Sequence, residues 1–192
     1  VLENGSTWQV RYNTGYRNRG HGTRTFVPHN FRLNFPDDRF WKGRSGLNLN
    51  TLYTHSQNLG SAVFRRLEVP MPDSRPVQVR VNGINLARPG LEQFGSYAAN
   101  DAVDGNLLQR QFPSEPGGNL YRGIRDLVRY IPAEANLVWH GPLFSSYTNA
   151  YSKENNNAVN DWSDLLHLID VLNNTPPDSY ICLLYTSDAA DE

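Results

Sequence analysis

The chain has 192 residues, a length that accommodates one domain, or one domain and part of a second. Hydrophobic residues make up 39% of it and aromatic residues 11%, which is enough for a packed core and too much for a disordered chain. The net charge is −1, so charge gives no support for binding nucleic acid or an anionic membrane. No apolar run approaches the ~20 residues that a membrane helix needs.

The single cysteine, Cys182, excludes an internal disulfide and a cysteine-based metal site. The segment Cys182–Glu192 resembles a translated transposase sequencing adapter. We therefore expect residues 1–181 to be part of one domain, cut near Ile181 by the end of a sequencing read, and residues 182–192 to be an adapter-derived tail.

Two segments near the start alternate apolar and polar residues and are predicted to be strands, Trp8–Tyr12 and Phe31–Phe35. We expect them to be neighbours in an antiparallel sheet, linked by the Gly- and Asn-rich stretch 13–22. A short third strand is predicted at Leu47–Asn50.

A helix is predicted over Ser56–Arg66, with Thr54 or Ser56 as its cap. The apolar residues that recur at helical spacing and predict its buried face are Leu59, Ala62, Val63 and Leu67.

The clearest strand is Val77–Val81, followed by the turn dipeptide Asn82–Gly83. This pattern predicts a hairpin whose return strand is delayed to about Phe94–Ala99.

The second half contains two predicted helices and one predicted strand. A short helix is expected at Asp104–Phe112, with Asp101 or Asp104 at its N-terminus, and a strand at Asn119–Ile124. Residues 133–156 are expected to be irregular. An amphipathic helix follows, capped by Asn160, on which the apolar residues are Trp162, Leu165, Leu166, Ile169 and Leu172. The order of elements predicts an α+β fold with a mixed, largely antiparallel sheet and flanking helices.

The run Arg19–Arg24, with Gly20-His-Gly22 at its centre, is one candidate for chemistry. Backbone N–H groups and two guanidinium groups would suit a phosphate, whereas the alternative is a tight turn with solvated arginines. The run has no following helix, as a Walker loop would, and lacks the spacing of the protein-kinase glycine-rich loop.

Other candidate functional residues also have two possible interpretations. Asp101 and Asp104 form a carboxylate pair that would serve either catalysis or helix capping. Arg122 would touch nucleotide phosphates or lie on the surface. The five histidines have no metal-binding spacing, and no Gly-x-Ser-x-Gly elbow occurs, so a hydrolase is unsupported.

Taken in order, several short motifs resemble the CotH family of kinase-like proteins. These motifs are Arg19–Arg24, Pro28–Phe35, Leu47–Asn50, Asn82–Gly83, Gly95–Asp101 and Gly118–Gly123. The resemblance implies the N-terminal part of an atypical protein kinase-like fold, with the complete protein transferring phosphate from ATP, with Mg²⁺, to Ser or Thr of a protein substrate. It also implies a spore-coat, cell-surface or secreted location.

The resemblance also implies roles for four residues. Arg24 and Arg32 would contact phosphates, Arg122 would take a lysine-like role, and Asp101 would be its carboxylate partner. The chain departs from the family pattern at three places, because the family has glutamate at Asp101, lysine at Arg122 and another lysine near His29.

The family's later Asn-x-Asp and Trp-Asp-x-Asp elements do not occur in these 192 residues. Phosphoryl transfer needs carboxylates in these roles, so we expect this chain alone to be inactive. The alternative is a non-catalytic secreted or surface binding module that keeps the fold. The gene sequence downstream of this chain would distinguish the two hypotheses, because the presence of both elements there favours the kinase and their absence favours the binding module.

Overall fold

The computed structural model describes residues 2–4, 7–20, 22–87, 95–124, 134–179 and 182–183. The chain divides into two compact units, Val1–Pro116 and Gly117–Glu192. The predicted α+β class is confirmed, since helices accompany a five-stranded antiparallel sheet and several two-stranded sheets. No helix among the described residues is long and apolar enough to cross a membrane.

The first unit is built around the five-stranded sheet, whose strand order is β3-β4-β5-β9-β6. The strands of the unit are β1 (Leu2–Asn4), β2 (Thr7–Gln9), β3 (Gly15–Arg19), β4 (Asn30–Asn34), β5 (Gly46–Asn50), β6 (Ser74–Val77), β7 (Arg80–Val81), β8 (Ile84–Asn85) and β9 (Tyr97–Asp101). Its helices are α1 (Thr54–Arg66) and α2 (Gly105–Gln111).

The neighbour of β4 is not the strand that the sequence predicts. Trp8 lies in β2, which pairs with β1, whereas β4 pairs with β3 from the stretch predicted to be a link. The sequence does not predict β3 because it is a polar, exposed edge strand with one aromatic residue, Tyr16. The Tyr16 ring lies 5.0 Å from that of Phe31 on β4. The predicted strand at Leu47–Asn50 is confirmed as β5.

The two faces of this sheet differ in chemistry because side chains alternate along each strand. One face carries the core of the unit, in which Phe31, Leu49 and Tyr97 are buried. The other face is polar, and one row across it consists of Arg17, Arg32, Asn48, Asn100 and Ser74.

Helix α1 packs on the polar face through hydrogen bonds. Ser61 Oγ accepts from the backbone N–H of Ser74 at 2.9 Å. The prediction of an apolar buried face is therefore wrong: Leu59 is 64% and Leu67 is 66% exposed. The predicted cap is also wrong, because the N-cap position is Tyr53, one residue before the helix starts.

The Asn82–Gly83 turn is confirmed, with φ values of 51° and 83° that match the tight hairpin for which this dipeptide is suited. The prediction of a delayed return strand is wrong, because β8 follows at once and pairs with β7. Strand β9 instead lies between β5 and β6, and Phe94 is outside the described residues.

Helix α2 is confirmed, and Asp104 is its N-cap. The Asp104 side chain accepts from the backbone N–H groups of Asn106 at 3.1 Å and Leu107 at 3.2 Å. Asp101 lies in β9.

The second unit contains β10 (Tyr121–Gly123), a 3-10 helix (Phe144–Ser146), β11 (Tyr151–Lys153) and α3 (Ser163–Asn174). The predicted strand and helix are confirmed, and β11 adds a strand inside the stretch predicted to be irregular. The core residues are Tyr147, Ala150, Tyr151, Trp162, Leu165 and Ile169. Asn160 does not cap α3, because its Oδ1 accepts from Trp162 Nε1 while Asp161 Oδ1 accepts from the Ser163 N–H at 2.9 Å.

Candidate anion-binding site

Three arginines project from the polar face of the sheet, Arg17 and Arg19 from β3 and Arg32 from β4. Arg17 lies directly opposite Arg32 in the antiparallel register, and Arg19 is two residues further along its strand, so all three share one face. We refer to Arg17, Arg19 and Arg32 as the arginine face.

Amide side chains of the same sheet hold two of these guanidinium groups. Arg19 Nη1 donates to Asn50 Oδ1 at 2.8 Å. Arg32 Nε donates to Asn34 Oδ1 at 2.8 Å, and its Nη1 donates to Asn48 Oδ1 at 3.3 Å. These bonds orient the two cations, because each fixes a planar fork of donors.

Helix α1 supports this arrangement through Gln57. Asn50 Nδ2 donates to Gln57 Oε1 at 2.9 Å, and Asn100 Nδ2 donates to the same oxygen at 2.6 Å. Gln57 Nε2 in turn donates to the carbonyl oxygen of Leu52 at 2.6 Å. A continuous hydrogen-bonded chain therefore runs from Arg19 through Asn50 to the helix.

The arginine face carries an excess of positive charge. In the part of the chain that the structure describes, no carboxylate forms an ion pair with any of its three members. The pKa of Arg19 is lowered by burial and by the neighbouring charges of Arg32 and Arg17. Burial also lowers the pKa of Arg32, with Asp104 opposing the shift and Arg17 adding to it. An anion bound here would relieve this repulsion.

At the other end of the sheet, the arginines do have a carboxylate partner. Arg44, Arg65 and Arg75 all pair with Asp73. Burial alone would raise the pKa of Asp73, but Arg65 and Arg75 bring it below its ordinary value. Of the arginines on the strands of this sheet, those without a carboxylate partner among the described residues therefore lie on β3 and β4.

The connection between β3 and β4 contains the glycine-rich run. Gly20 has φ 117°, and an added Cβ would lie 2.6 Å from Thr23 Oγ1, so the turn requires glycine. Buried Asn30 anchors the loop, because its Nδ2 donates to Thr23 Oγ1 at 3.0 Å. Arg24 is exposed on this loop, while His21 is outside the described residues.

Asp101 is buried and fully engaged in ion pairs. Its Oδ1 accepts from Arg44 Nε, and its Oδ2 accepts from Arg110 Nη2 at 2.7 Å. Both partners lie in its own unit.

Arg122 lies in the second unit, on β10, and pairs with Glu154 at 3.2 Å. The predicted pair of Asp101 with Arg122 joins residues of different units and stays a prediction. The neighbouring Gly118–Tyr121 segment has a structural role: Asp164 of α3 accepts from Asn119 at 2.8 Å and from the Tyr121 hydroxyl at 2.6 Å.

The sequence analysis singled out Arg19, Arg24 and Arg32 as candidates for phosphate contacts, and it did not single out Arg17, Asn50 or Gln57. A signal for Arg17 and Arg19 is present in the alternation along Gly15–Arg19, which places both on one side if the segment is a strand. Nothing in the sequence pairs Asn50 with Gln57, because that contact depends on how α1 lies on the sheet.

The described residues contain no group of three or more His, Cys, Asp or Glu side chains that could hold a metal ion. The arginine face has the charge and the planar sets of donors that suit an anion such as phosphate.

These features define an α+β protein whose antiparallel sheet presents a cationic face beside a glycine-containing loop. The chain belongs to the CotH kinase protein family, whose model matches residues 16–182, and this family is kinase-like. A comparison with curated proteins gives no match.

Proposed function

We propose that this chain supplies the phosphate-binding sheet of a kinase that transfers the γ-phosphoryl group of ATP, with Mg²⁺, to Ser or Thr of a protein substrate. The observation that carries the proposal is the arginine face, where three guanidinium groups have no carboxylate counterion among the described residues. Membership in a kinase-like family supports it.

The proposed chemistry is electrostatic. Catalysis of phosphoryl transfer consists almost entirely of positioning the phosphates and stabilising their charge. Arg32 and Arg19 would bind phosphate oxygens from the sheet, and Arg24 would do so from the loop between β3 and β4. Mg²⁺ would be held by the nucleotide phosphates together with carboxylates of the family's later Trp-Asp-x-Asp element, which does not occur in these 192 residues.

Asp101 and Arg122 have weaker support in this scheme. Asp101 is 3% exposed and already neutralised by two arginines, which favours a structural role. Arg122 has one partner, Glu154, and a side chain that is 60% exposed, so a phosphate would compete for it readily.

A second candidate is a binding module that keeps the fold without catalysis, and one observation favours it. Protein kinases hold the nucleotide with a lysine of the third strand, paired with a glutamate of the following helix. In this sheet the side chains that join the third strand, β5, to the helix that follows it, α1, are the uncharged Asn50 and Gln57. If these elements correspond to those of a protein kinase, an uncharged pair replaces the ion pair, which a module without catalysis would tolerate.

The experiment measures Mg²⁺-ATP binding by equilibrium dialysis and phosphate transfer from γ-labelled ATP to a mixture of acceptor proteins. The matched variants are Arg32→Gln and Arg80→Gln, because Arg80 is an exposed arginine of the separate β7–β8 hairpin. We expect Arg32→Gln to weaken binding by roughly tenfold, the value of one charge-assisted contact, and Arg80→Gln to have no effect.

Binding with transfer supports the kinase. Binding without transfer favours the non-catalytic module only when the protein assayed carries the Asn-x-Asp and Trp-Asp-x-Asp elements, because this chain alone is expected to be inactive under either hypothesis. No binding of Mg²⁺-ATP, or equal loss in both variants, overturns the assignment of this face to the nucleotide.

A further inference from the structure

We propose that the arginine face recognises the polyphosphate chain of its ligand and does not read a nucleobase. This inference rests on the proposed function and narrows it. The ligand class is then polyphosphates in general, of which ATP is one member.

The first support is that two of the three cations, Arg19 and Arg32, are held in place by the sheet before a ligand arrives. Arg19 is fixed by Asn50, and Asn50 by Gln57 of α1, over distances of 2.8 and 2.9 Å. The Arg32 guanidinium lies over Gly46, where an added Cβ would approach its Nη2 to 2.9 Å. Preorganised donors lose little entropy on binding, so phosphate contacts alone can supply useful affinity.

The second support is the spacing of the charges. Arg17 and Arg32 are cross-strand partners, and Arg19 is two residues from Arg17 on the same side of β3. Side chains at directly opposed positions have Cβ atoms about 5 Å apart, and those at i and i+2 of a strand about 7 Å apart. Three cations at this spacing suit a chain of linked phosphates better than a single phosphate group.

The third support is the lack of a surface on which a base would stack. Base recognition relies on apolar and aromatic side chains. On the polar face, the strand residues that the structure describes are arginines, asparagines, glycines, Ser74, Pro76 and Ala98, so none of them is aromatic, and Ala98 is completely buried. The aromatic residues Tyr16 and Phe31 lie on the opposite face, with ring centroids 5.0 Å apart.

Phe26 needs its own control, because this aromatic residue lies in the loop between β3 and β4 and is 51% exposed. If a base is read at all, Phe26 is the residue that the loop offers for stacking.

The test is competition for the whole chain among ATP, GTP and inorganic tripolyphosphate, each with Mg²⁺, measured by displacement of labelled ATP. We expect the three affinities to agree within about threefold. Arg19→Gln should weaken all three by the same factor, roughly tenfold, and Arg80→Gln should weaken none. Phe26→Ala should leave their ratio unchanged. Should Arg19→Gln fail to fold, Arg17→Gln serves the same purpose, because Arg17 is exposed.

The outcomes separate this inference from the proposed function. If ATP binds more than about tenfold tighter than tripolyphosphate and Phe26→Ala removes the difference, the loop reads the base and the inference is overturned while the nucleotide site stands. If tripolyphosphate binds through Arg19 and ATP does not, the polyphosphate site stands and the kinase proposal fails. If no ligand binds, both fail.

Discussion

Arg110 of α2 donates to the buried carboxylate of Asp101 over 2.7 Å, which ties β9, the strand between β5 and β6, to the helix that follows it. Arg44, from the connection between β4 and β5, binds the other oxygen of the same carboxylate. Asp101 therefore joins three parts of the first unit, and this explains why a carboxylate is needed there without invoking a ligand.

Replacing Asp101 by Asn tests that structural role. The change leaves two arginines without a buried counterion, and we expect it to lower the free energy of unfolding by about 3 kcal/mol, measured in urea. Arg75→Ala is the control, because its pair with Asp73 is exposed and should contribute at most about 1 kcal/mol. If Asp101→Asn keeps its stability but loses affinity for Mg²⁺-ATP, Asp101 is a ligand-binding residue and the structural interpretation is wrong.

Substitution by alanine is expected to have opposite effects on stability at two glycines. At Gly46, an added Cβ would lie 2.2 Å from the carbonyl oxygen of Leu33, so Gly46→Ala must separate β4 from β5. At Gly60 of α1, nothing lies within 4 Å, and alanine has the higher helix propensity. We expect Gly46→Ala to destabilise by more than about 2 kcal/mol and Gly60→Ala to stabilise by about 0.5–1 kcal/mol in thermal or urea unfolding. Equal effects of the two changes would mean that the close approach at Gly46 does not exist.

The orientation of α1 can be tested by comparing an apolar and a polar residue. Leu59 is exposed, so Leu59→Ala should change stability by less than about 0.5 kcal/mol. Ser61 is buried and accepts a hydrogen bond from the Ser74 backbone, so Ser61→Ala should cost about 1–2 kcal/mol. The reverse ranking would restore the apolar buried face that the sequence predicts.

Tyr97 makes stability fall at alkaline pH. Burial, and to a smaller extent Tyr16, raise the pKa of Tyr97 from 10.0 to about 12. The folded state keeps the phenolic proton in the interval where the unfolded state loses it. This contribution to stability is therefore complete below pH 10 and is lost towards pH 12, by at most about 1.4 kcal/mol per pH unit.

The measurement for Tyr97 is urea unfolding between about pH 9 and about pH 11, compared with Tyr97→Phe. Subtracting the free energy of unfolding of the variant from that of the unchanged protein at each pH removes the contribution of lysines and other tyrosines. The same slope in both proteins would show that Tyr97 is not the group responsible.

Asp104 allows charge and capping to be separated. Asp104→Ala removes the N-cap of α2 and should destabilise by about 1 kcal/mol, whereas Asp104→Asn keeps a capping side chain and should be nearly neutral. Because the Asp104 charge acts on Arg32, Asp104→Asn should also bind tripolyphosphate about two- to threefold more tightly. Unchanged or weaker binding by Asp104→Asn would place the polyphosphate away from Arg32.

Local patterns in the sequence predicted several elements because those elements depend on nearest neighbours along the chain. Asn82–Gly83 adopts positive φ wherever it occurs in a tight hairpin, and Asp104 can cap a helix from its own position. Strand β5 and helix α3 follow from short apolar periodicities that persist in the folded unit. The ordered motifs were likewise sufficient to predict the family to which the chain belongs.

The sequence was a poor guide where a contact partner is remote. Its apolar stripe on α1 predicted a buried face, but the helix meets a sheet face made of amides and arginines, so Ser61 is buried and Leu59 is exposed. Strand β3 has too few apolar residues to show a period, and only its pairing with β4 reveals it as a strand.

The sequence by itself determined the α+β class, most of the elements and membership in a kinase-like family, because composition, period and turn chemistry are encoded locally. The tertiary structure decided which charges are free. Strand register placed Arg17 beside Arg32, and the packing of α1 linked Arg19 to Gln57 through Asn50, while Arg44 and Arg110 were neutralised by Asp101. Electrostatic pairing depends on distances in space, and no spacing along the chain specifies them.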